Sequence, residues 1–169
     1  AFYDSSALLI ITGQVTTDQF DTGALQEPYR YYPADFPSVL RPYTKHSWQA
    51  HKVEDLARYL PKAFKLMTAG RPGPVHLDIP YDLYVKSAPV EIPDPEKWSR
   101  PVNWRTGGDT AAVTKALEML LKAKRPLILA GGGVLVSGAA QELSELANYL
   151  NIPVYASLMG KGAMSDEDP

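Results

Sequence analysis

The sequence predicts an α/β fold in which parallel sheets are flanked by helices. Short apolar runs typical of buried strands alternate with longer segments whose apolar residues recur every three or four positions, as in amphipathic helices. Short, glycine-containing connections join them, which favours a parallel sheet covered on both faces. With 169 residues, of which 45% are hydrophobic and 21% charged, the chain can bury a core.

Two strands and one helix are predicted in the first half. Residues 7–12 (ALLIIT) form a buried strand. Apolar residues at three- and four-residue steps predict a helix over residues 53–69, followed by a glycine that ends it. Pro61 in its interior predicts either a kink or a regular part that begins near Leu60. Residues 75–79, after the turn sequence GRPGP, form a second buried strand.

Two proline-rich segments interrupt these elements. Residues 28–43 contain four prolines and predict an ordered surface segment without regular secondary structure. Residues 86–108 also contain four prolines and end in a glycine pair. That composition is typical of an extended linker, so we expect a domain boundary there.

The second half repeats the alternation of helices and strands. Asp109 is a suitable N-cap for the first helix. The predicted elements are a helix over residues 110–124, a strand over 126–130, a glycine loop, a helix over 138–150 and a strand over 152–156.

Glycine-containing segments follow both strands of the second half. Backbone N–H groups in residues 131–133 could approach a phosphate or a flat ring closely, or the glycines could serve a tight turn that needs positive φ. The run does not match a dinucleotide-binding or P-loop pattern. Residues 157–164 follow the next strand and favour a ligand site at the carboxyl edge. The alternative is that Gly160 and Gly162 only turn the chain.

Charged and titratable residues supply further candidates. Arg71 lies in a rigid, proline-bounded turn suited to a phosphate or carboxylate, although surface arginines are common in turns. Lys45 and His46, close to Trp48, could be ligand contacts or an exposed strand edge. His76, in an apolar strand, is predicted to be structural. No nucleophile elbow or assignable pair of catalytic carboxylates is present.

Charge and cysteine content exclude several functional classes. A formal net charge of −2 favours neither nucleic acid nor an anionic membrane as a partner. Because the sequence has no cysteine, disulfides and cysteine-ligated metal sites are excluded, and we expect a cytoplasmic location. The apolar run at residues 7–12 is too short to span a bilayer.

Eight segments resemble the large catalytic subunit of acetolactate synthase and its thiamine-diphosphate-dependent relatives. In order along essentially the whole chain they are DSSALLIITGQV, GALQE, YTKHSW, EDL, AFKLMTAGRPGPVHLDIPYDL, PLILAGGGV, ELANYLNIPV and SLMGKGAMSDEDP. The combination of TGQV with GRPGPV and DIP is the most specific part of this resemblance.

The resemblance implies three α/β domains, of which this chain would hold parts of two. Residues 1–85 would be the C-terminal part of the domain that binds the pyrimidine of thiamine diphosphate, residues 86–108 a linker, and residues 109–169 the N-terminal part of a central, Rossmann-like domain that binds FAD or another nucleotide. The glutamate that activates the cofactor and the motif that binds Mg²⁺ would lie outside this chain. The chain is therefore expected to be an internal fragment, inactive alone, with no catalytic or metal-binding residue of its own.

Several residues match cofactor-binding positions of the family. Gln26 matches a glutamine at the thiamine diphosphate and substrate pocket, and Lys45 a lysine near the active-site entrance. The positions that match contacts with FAD are Ser5, Arg71, Gly131, Gly132, Gly133, Ser157 and Leu158.

The family reaction decarboxylates pyruvate and transfers the two-carbon unit to a second 2-keto acid, in branched-chain amino acid biosynthesis. A homo-oligomer is implied as well. Thr16 stands where synthases often have proline, and Lys161 in MGKG is frequent among 2-keto acid decarboxylases. Another thiamine-diphosphate-dependent decarboxylase or carboligase is therefore one alternative, and a non-catalytic nucleotide-binding module is the other.

Overall fold

A computed structural model of the chain describes residues 1–23, 35–99 and 107–165. The chain divides into two compact units, residues 1–105 and 106–169. Parallel strands and helices make up both units, which confirms the predicted α/β fold class. Every helix in the described ranges is too short or too polar to cross a membrane.

The first unit contains a parallel sheet of three strands in the order β1-β3-β2. In the register of this sheet, Leu77 lies between Ile11 of β1 and Trp48 of β2. The elements are β1 (Leu8–Gln14), α1 (Phe36–Leu40), β2 (His46–Gln49), α2 (Val53–Thr68), β3 (Pro74–Pro80) and α3 (Tyr81–Val85), with 3-10 turns at Thr17–Gln19, Arg41–Tyr43 and Pro95–Lys97.

The central strand β3 is buried along its whole length, as the sequence predicts. Val75, Leu77 and Ile79 face α2 and form the core with buried residues such as Ala63 and Met67. This packing explains the helical stripe read from the sequence, since the apolar side of α2 covers one face of the sheet.

The opposite face carries a buried network of polar side chains. Thr12 Oγ1 donates to Asp78 Oδ1 at 2.5 Å and lies 2.8 Å from His76 Nε2. Because the single Thr12 proton goes to Asp78, His76 Nε2 must be the donor in the second contact. Ser47 Oγ lies 2.7 Å from His76 Nδ1, and Gln49 Nε2 donates to Asp78 Oδ2 at 2.8 Å. His76 is fully buried, which confirms its structural interpretation.

The structure tests the predictions for two proline-containing segments of the first unit. The helix α2 already begins at Val53 and continues through Pro61, so the alternative that its regular part starts near Leu60 is wrong. Within residues 28–43 a short helix, α1, forms despite the prolines. Asp35 caps it, since its carboxylate accepts from Ser38 N at 2.6 Å. Proline is tolerated there because it occupies the first turn, where the missing N–H would have no partner in the helix.

The second unit has a parallel sheet of two short strands. Asp109 caps α4 as predicted, because its carboxylate accepts from Ala112 N at 2.8 Å. The elements are α4 (Thr110–Lys122), β4 (Ile128–Ala130), α5 (Gly132–Ser137), α6 (Ala140–Leu150) and β5 (Val154–Ala156), with a 3-10 turn at Leu158–Gly160.

The segment after β4 differs from the predicted glycine loop. Gly131 is the N-cap of the short helix α5, which ends at Gly138 in the left-handed region at φ 65°. The next helix, α6, therefore begins at Ala140 and not at Gly138. The glycines lead directly into a helical turn, which brings the chain back toward the end of β5.

Candidate functional site

The turn between α2 and β3, residues 70–73, is called the Arg71 turn here. Gly70 ends α2 and adopts φ +60°, a conformation that L side chains rarely adopt. Gly73 is buried, and its N–H donates to Met67 O at 3.0 Å. The chain therefore ends α2 at Gly70, which has a left-handed conformation. The N–H of Gly73 then forms a hydrogen bond with the last turn of the same helix.

Arg71 is exposed, yet one edge of its guanidinium is fixed. Its Nε donates to Ser5 Oγ at 2.7 Å, and its Nη2 donates to Tyr3 O at 2.8 Å. Ser5 has φ 58°, which is unusual for a residue other than glycine. Among the residues that the structure describes, no carboxylate pairs with Arg71, and its contacts use Nε and Nη2. The structure thus brings together Ser5 and Arg71, two residues predicted from the sequence, and Nη1 takes no part in their contacts.

Lys45 lies beside the same turn, directly before β2. Its Nζ donates to Ala69 O at 2.6 Å and to Arg71 O at 3.0 Å. Burial lowers the pKa of this ammonium. Its predicted position near an active-site entrance stays a prediction, since both hydrogen bonds are to the main chain of its own unit.

Two glycines of the second unit are required by the packing of the chain itself. A Cβ on Gly160 would lie 2.2 Å from Ala130 O, and one on Gly132 would lie 2.9 Å from Met159 O. These glycines allow the segment after β4 to pack closely against the 3-10 turn after β5. Their presence needs no ligand.

Gly131 and Gly133 are different, because nothing in the described chain requires glycine there. Neither has positive φ. A Cβ on Gly131 would meet only Ser157 Oγ, at 4.0 Å, and one on Gly133 would meet nothing within 4 Å. Open space beside main chain of ordinary conformation would admit a ligand that approaches the backbone closely.

Ser157 and Leu158 lie at the same edge, immediately after β5. Ser157 N donates to Ala130 O at 2.9 Å, and its Oγ accepts from Gly160 N at 3.2 Å. The side chain of Leu158 is 90% exposed. The structure therefore brings the three predicted glycines, 131–133, together with both residues at the carboxyl ends of β4 and β5, where open α/β sheets bind ligands.

Gln26, the predicted contact of thiamine diphosphate, lies outside the described residues. At the carboxyl edge of the first unit, an open cleft is lined by Gly13, Gln14, Phe36, Tyr81 and Tyr84. This cleft is not predicted from the sequence. Two tyrosines directly after a predicted buried strand were the available signal, because the carboxyl end of such a strand is a frequent ligand position.

Asp82 fixes the chain next to this cleft. Its carboxylate accepts from Thr17 N at 3.0 Å and from Thr17 Oγ1 at 2.8 Å, and it pairs with Lys86. The hydrogen bond from Lys86, together with those from Thr17, lowers the pKa of Asp82 to about 2 against the opposing effect of burial. Asp82 thereby ties the segment after β1 to α3.

Comparisons with known proteins give a consistent set of relatives. Residues 113–169 match the family model described as "Thiamine pyrophosphate enzyme, central domain". The "Probable acetolactate synthase large subunit" of Methanocaldococcus jannaschii is 39% identical over 171 residues, which cover 100% of this chain and 28% of the relative. Acetolactate synthase isozyme 3 large subunit of Escherichia coli is 38% identical over 164 residues, which cover 96% of this chain and 28% of the relative.

Solved structures agree with the fold. The thiamine diphosphate-dependent 4-hydroxybenzoylformate decarboxylase of Rhodococcus jostii RHA1 superposes with a TM-score of 0.71 at 23% sequence identity. The superposition covers 92% of this chain and 28% of the decarboxylase. At this identity the likeness shows the fold alone.

Proposed function

We propose that this chain, whose residues 113–169 match the central domain of thiamine pyrophosphate enzymes, is part of an enzyme similar to acetolactate synthase. Such an enzyme decarboxylates pyruvate and transfers the two-carbon unit to a second 2-keto acid, in the biosynthesis of branched-chain amino acids. The observation that carries the proposal is the alignment of the whole chain, at 39% identity, with the protein of Methanocaldococcus jannaschii named "Probable acetolactate synthase large subunit". When bound, thiamine diphosphate supplies the electron sink for the loss of CO₂.

The proposed domain assignment follows the same alignment. Residues 1–85 would belong to the pyrimidine-binding domain, residues 86–108 to the linker and residues 109–169 to the central domain. The family match over 113–169 and the division of the chain into units near residue 105 both support it. On this assignment the catalytic glutamate and the Mg²⁺ ligands belong to other parts of the protein, and Gln26 is the proposed contact of thiamine diphosphate here.

FAD is the proposed ligand of the glycine segment in the second unit. Support comes from Gly131 and Gly133, whose lack of a side chain the packing of the chain does not explain. Ser157 and Leu158 complete the proposed set, with Gly132 as a packing residue between them. This arrangement fits a nucleotide that lies against the main chain at the carboxyl edge of the sheet.

Arg71 and Ser5 are proposed to contact an anionic ligand of the first unit. The guanidinium is held by Nε and Nη2, so its Nη1 edge can bind a phosphate without a rearrangement of the side chain. FAD is the candidate that the resemblance supplies for this position too. A cytoplasmic homo-oligomer is proposed for the whole protein on the same resemblance.

The decisive experiment uses the full-length protein that contains this chain. Pyruvate, Mg²⁺ and thiamine diphosphate are added, acetolactate is assayed, and the absorption spectrum of the purified protein is recorded. Acetolactate with a bound-flavin spectrum would support both parts of the proposal. Acetolactate without flavin would overturn the FAD assignment alone, and the absence of acetolactate would overturn the synthase assignment.

A pair of glycine variants tests the FAD assignment separately. Gly133→Ala should weaken FAD binding about tenfold, because the added methyl group occupies the space proposed for the ligand. Gly107→Ala is the matched control, since that glycine is also open but precedes α4. Equal FAD affinity of the two variants would contradict the assignment.

The second candidate function is a decarboxylase or another carboligase that uses the same cofactor. Lys161 favours this candidate, because the resemblance to the family includes the sequence MGKG, which is frequent among its 2-keto acid decarboxylases. Acetaldehyde as the product from pyruvate would identify this alternative. Failure to bind thiamine diphosphate at all would leave a non-catalytic nucleotide-binding module.

A further inference from the structure

We propose that Lys45 is a positioning residue that holds the Arg71 turn in place and thereby fixes the direction of the Arg71 side chain. Lys45 would then act on the main chain of its own unit and not on a ligand. The consequence for ligand binding rests on the role proposed above for Arg71.

The first argument is the position of the ammonium group. Its two acceptors, Ala69 O and Arg71 O, lie on either side of Gly70, at 2.6 and 3.0 Å from Nζ. Ala69 is the C-cap of α2, and carbonyl groups at the C-terminal end of a helix have no N–H partner inside the helix. A cation at this end of a helix is also favoured by the helix dipole. Lys45 therefore connects the end of α2 to the residue that carries the guanidinium.

The second argument is the position of the aliphatic stem. A Cβ on Gly73 would lie 3.1 Å from both Cγ and Cδ of Lys45, a tighter contact than most side chains make. Gly73 does not have positive φ, so its backbone conformation alone does not require glycine. The stem of Lys45 makes the position tight, since a methyl group on residue 73 would have to displace the stem by a few tenths of an ångström. The last glycine of GRPG is thus explained by a lysine 28 residues earlier in the chain.

The third argument is that the main chain of Lys45 is fixed as well. Its N–H donates to Pro74 O at 2.7 Å, which joins the residue before β2 to the start of β3. Lys45 thus starts from a fixed backbone position and contacts the turn with both its stem and its ammonium group. Arg71, in contrast, keeps the Nη1 edge of its guanidinium outside these contacts.

Amide hydrogen exchange in the full-length protein, without added flavin, tests the inference directly. In Lys45→Met, which keeps the stem and loses the charge, the Gly73 amide should exchange about tenfold faster. Lys45→Arg should restore most of the protection, because a guanidinium can also donate to two carbonyls. Lys97→Met, at an exposed lysine, should leave the exchange unchanged. Unchanged exchange in Lys45→Met, or no rescue by arginine, would overturn the inference.

A second pair of variants tests the contact with the stem. Gly73→Ala should speed exchange across residues 68–75 when combined with Lys45→Met, which keeps the stem. The same glycine substitution should add less than about twofold when combined with Lys45→Ala, which removes the stem. Equal effects in both combinations would show that the stem does not restrict Gly73, and would overturn this part.

Titration with FAD separates this inference from the proposed function. Faster exchange together with about tenfold weaker FAD binding in Lys45→Met would support both. Faster exchange, with no FAD binding even by the unaltered protein, would support the positioning role and overturn the flavin proposal. Weaker FAD binding with unchanged exchange would identify Lys45 as a direct ligand contact and overturn the positioning role.

Discussion

The two units build similar parallel strands but bury them to very different degrees. In the first unit, Leu77 at the centre of β3 is fully buried against α2, and the polar network covers the opposite face of the sheet. In the second unit, Leu129 at the centre of β4 is 69% exposed, and Tyr155 beside it on β5 is 67% exposed. The first sheet is therefore stabilised by side chains packed on both faces. In the second, the contacts that stand out are close approaches of the main chain at the carboxyl edge, at Gly132 and Gly160.

The glycines also have different structural roles in the two units. Gly70 and Gly73 shape a turn, one through its backbone conformation and the other through a neighbouring side chain. Gly132 and Gly160 instead allow two segments of main chain to touch. Neither effect applies to Gly131 and Gly133, and their position at the carboxyl edge of the sheet is the reason that they belong to the proposed FAD site.

The largest effect is expected from the same substitution made in both sheets. Leu77→Ala should lower the free energy of unfolding by about 3 kcal/mol, because it leaves a cavity in a close-packed core. Leu129→Ala should lower it by less than about 1 kcal/mol, because most of that side chain is already in water. Urea unfolding of the 169-residue chain, followed by circular dichroism, measures both. Equal losses would show that β4 is as buried as β3.

The next largest effect is expected from a pair of glycines in the second unit. Gly160→Ala should destabilise this unit by about 2 kcal/mol, because the methyl group would overlap Ala130 O unless the backbone shifts. Gly133→Ala should be neutral or slightly stabilising, since alanine is the better helix former and the space is open. Hydrogen exchange of β4 and β5 reports on this unit alone. A larger loss from Gly133→Ala would contradict the proposed packing.

The smallest effect is a pH dependence confined to the first unit. Burial lowers the pKa of His76, although the charges of Asp78 and Asp35 oppose this shift. A histidine whose pKa is lower when folded binds more protons when unfolded, so stability should fall as the pH drops below about 6.5. Tryptophan fluorescence reports this unit, because Trp48 and Trp98 lie in its described part.

An NMR titration of the imidazole provides the direct check on His76. Its pKa should lie below that of an unfolded histidine. A titration of His76 above pH 6.5 would contradict the prediction, and it would mean that Asp78 outweighs burial.

The sequence alone predicts the features that depend on residues close together along the chain. The amphipathic stripe of α2, the glycine at residue 70 that ends this helix and the cap at Asp109 are all local, and the structure confirms them. The number of prolines does not predict the helix α1, because a proline in the first turn of a helix is tolerated.

Contacts between distant residues could not be predicted in the same way. Lys45 contacts Ala69 and Arg71, which lie 24 and 26 residues away, only after β2 and β3 have paired. Arg71 meets Ser5, 66 residues away, for the same reason. The candidate residues could therefore be named from the sequence, but their partners depend on the tertiary fold.

The polar network has one more consequence, for the choice of strand pairing during folding. The run Leu8–Ile11 is apolar at every position, so hydrophobic alternation alone does not distinguish one register of β1 from the next. Thr12 does distinguish them, because a slip of one residue would turn its hydroxyl to the other face. His76 and Asp78 would then be buried without that partner, which is unfavourable for polar groups. The network therefore disfavours sheets in which β1 pairs with β3 in the wrong register.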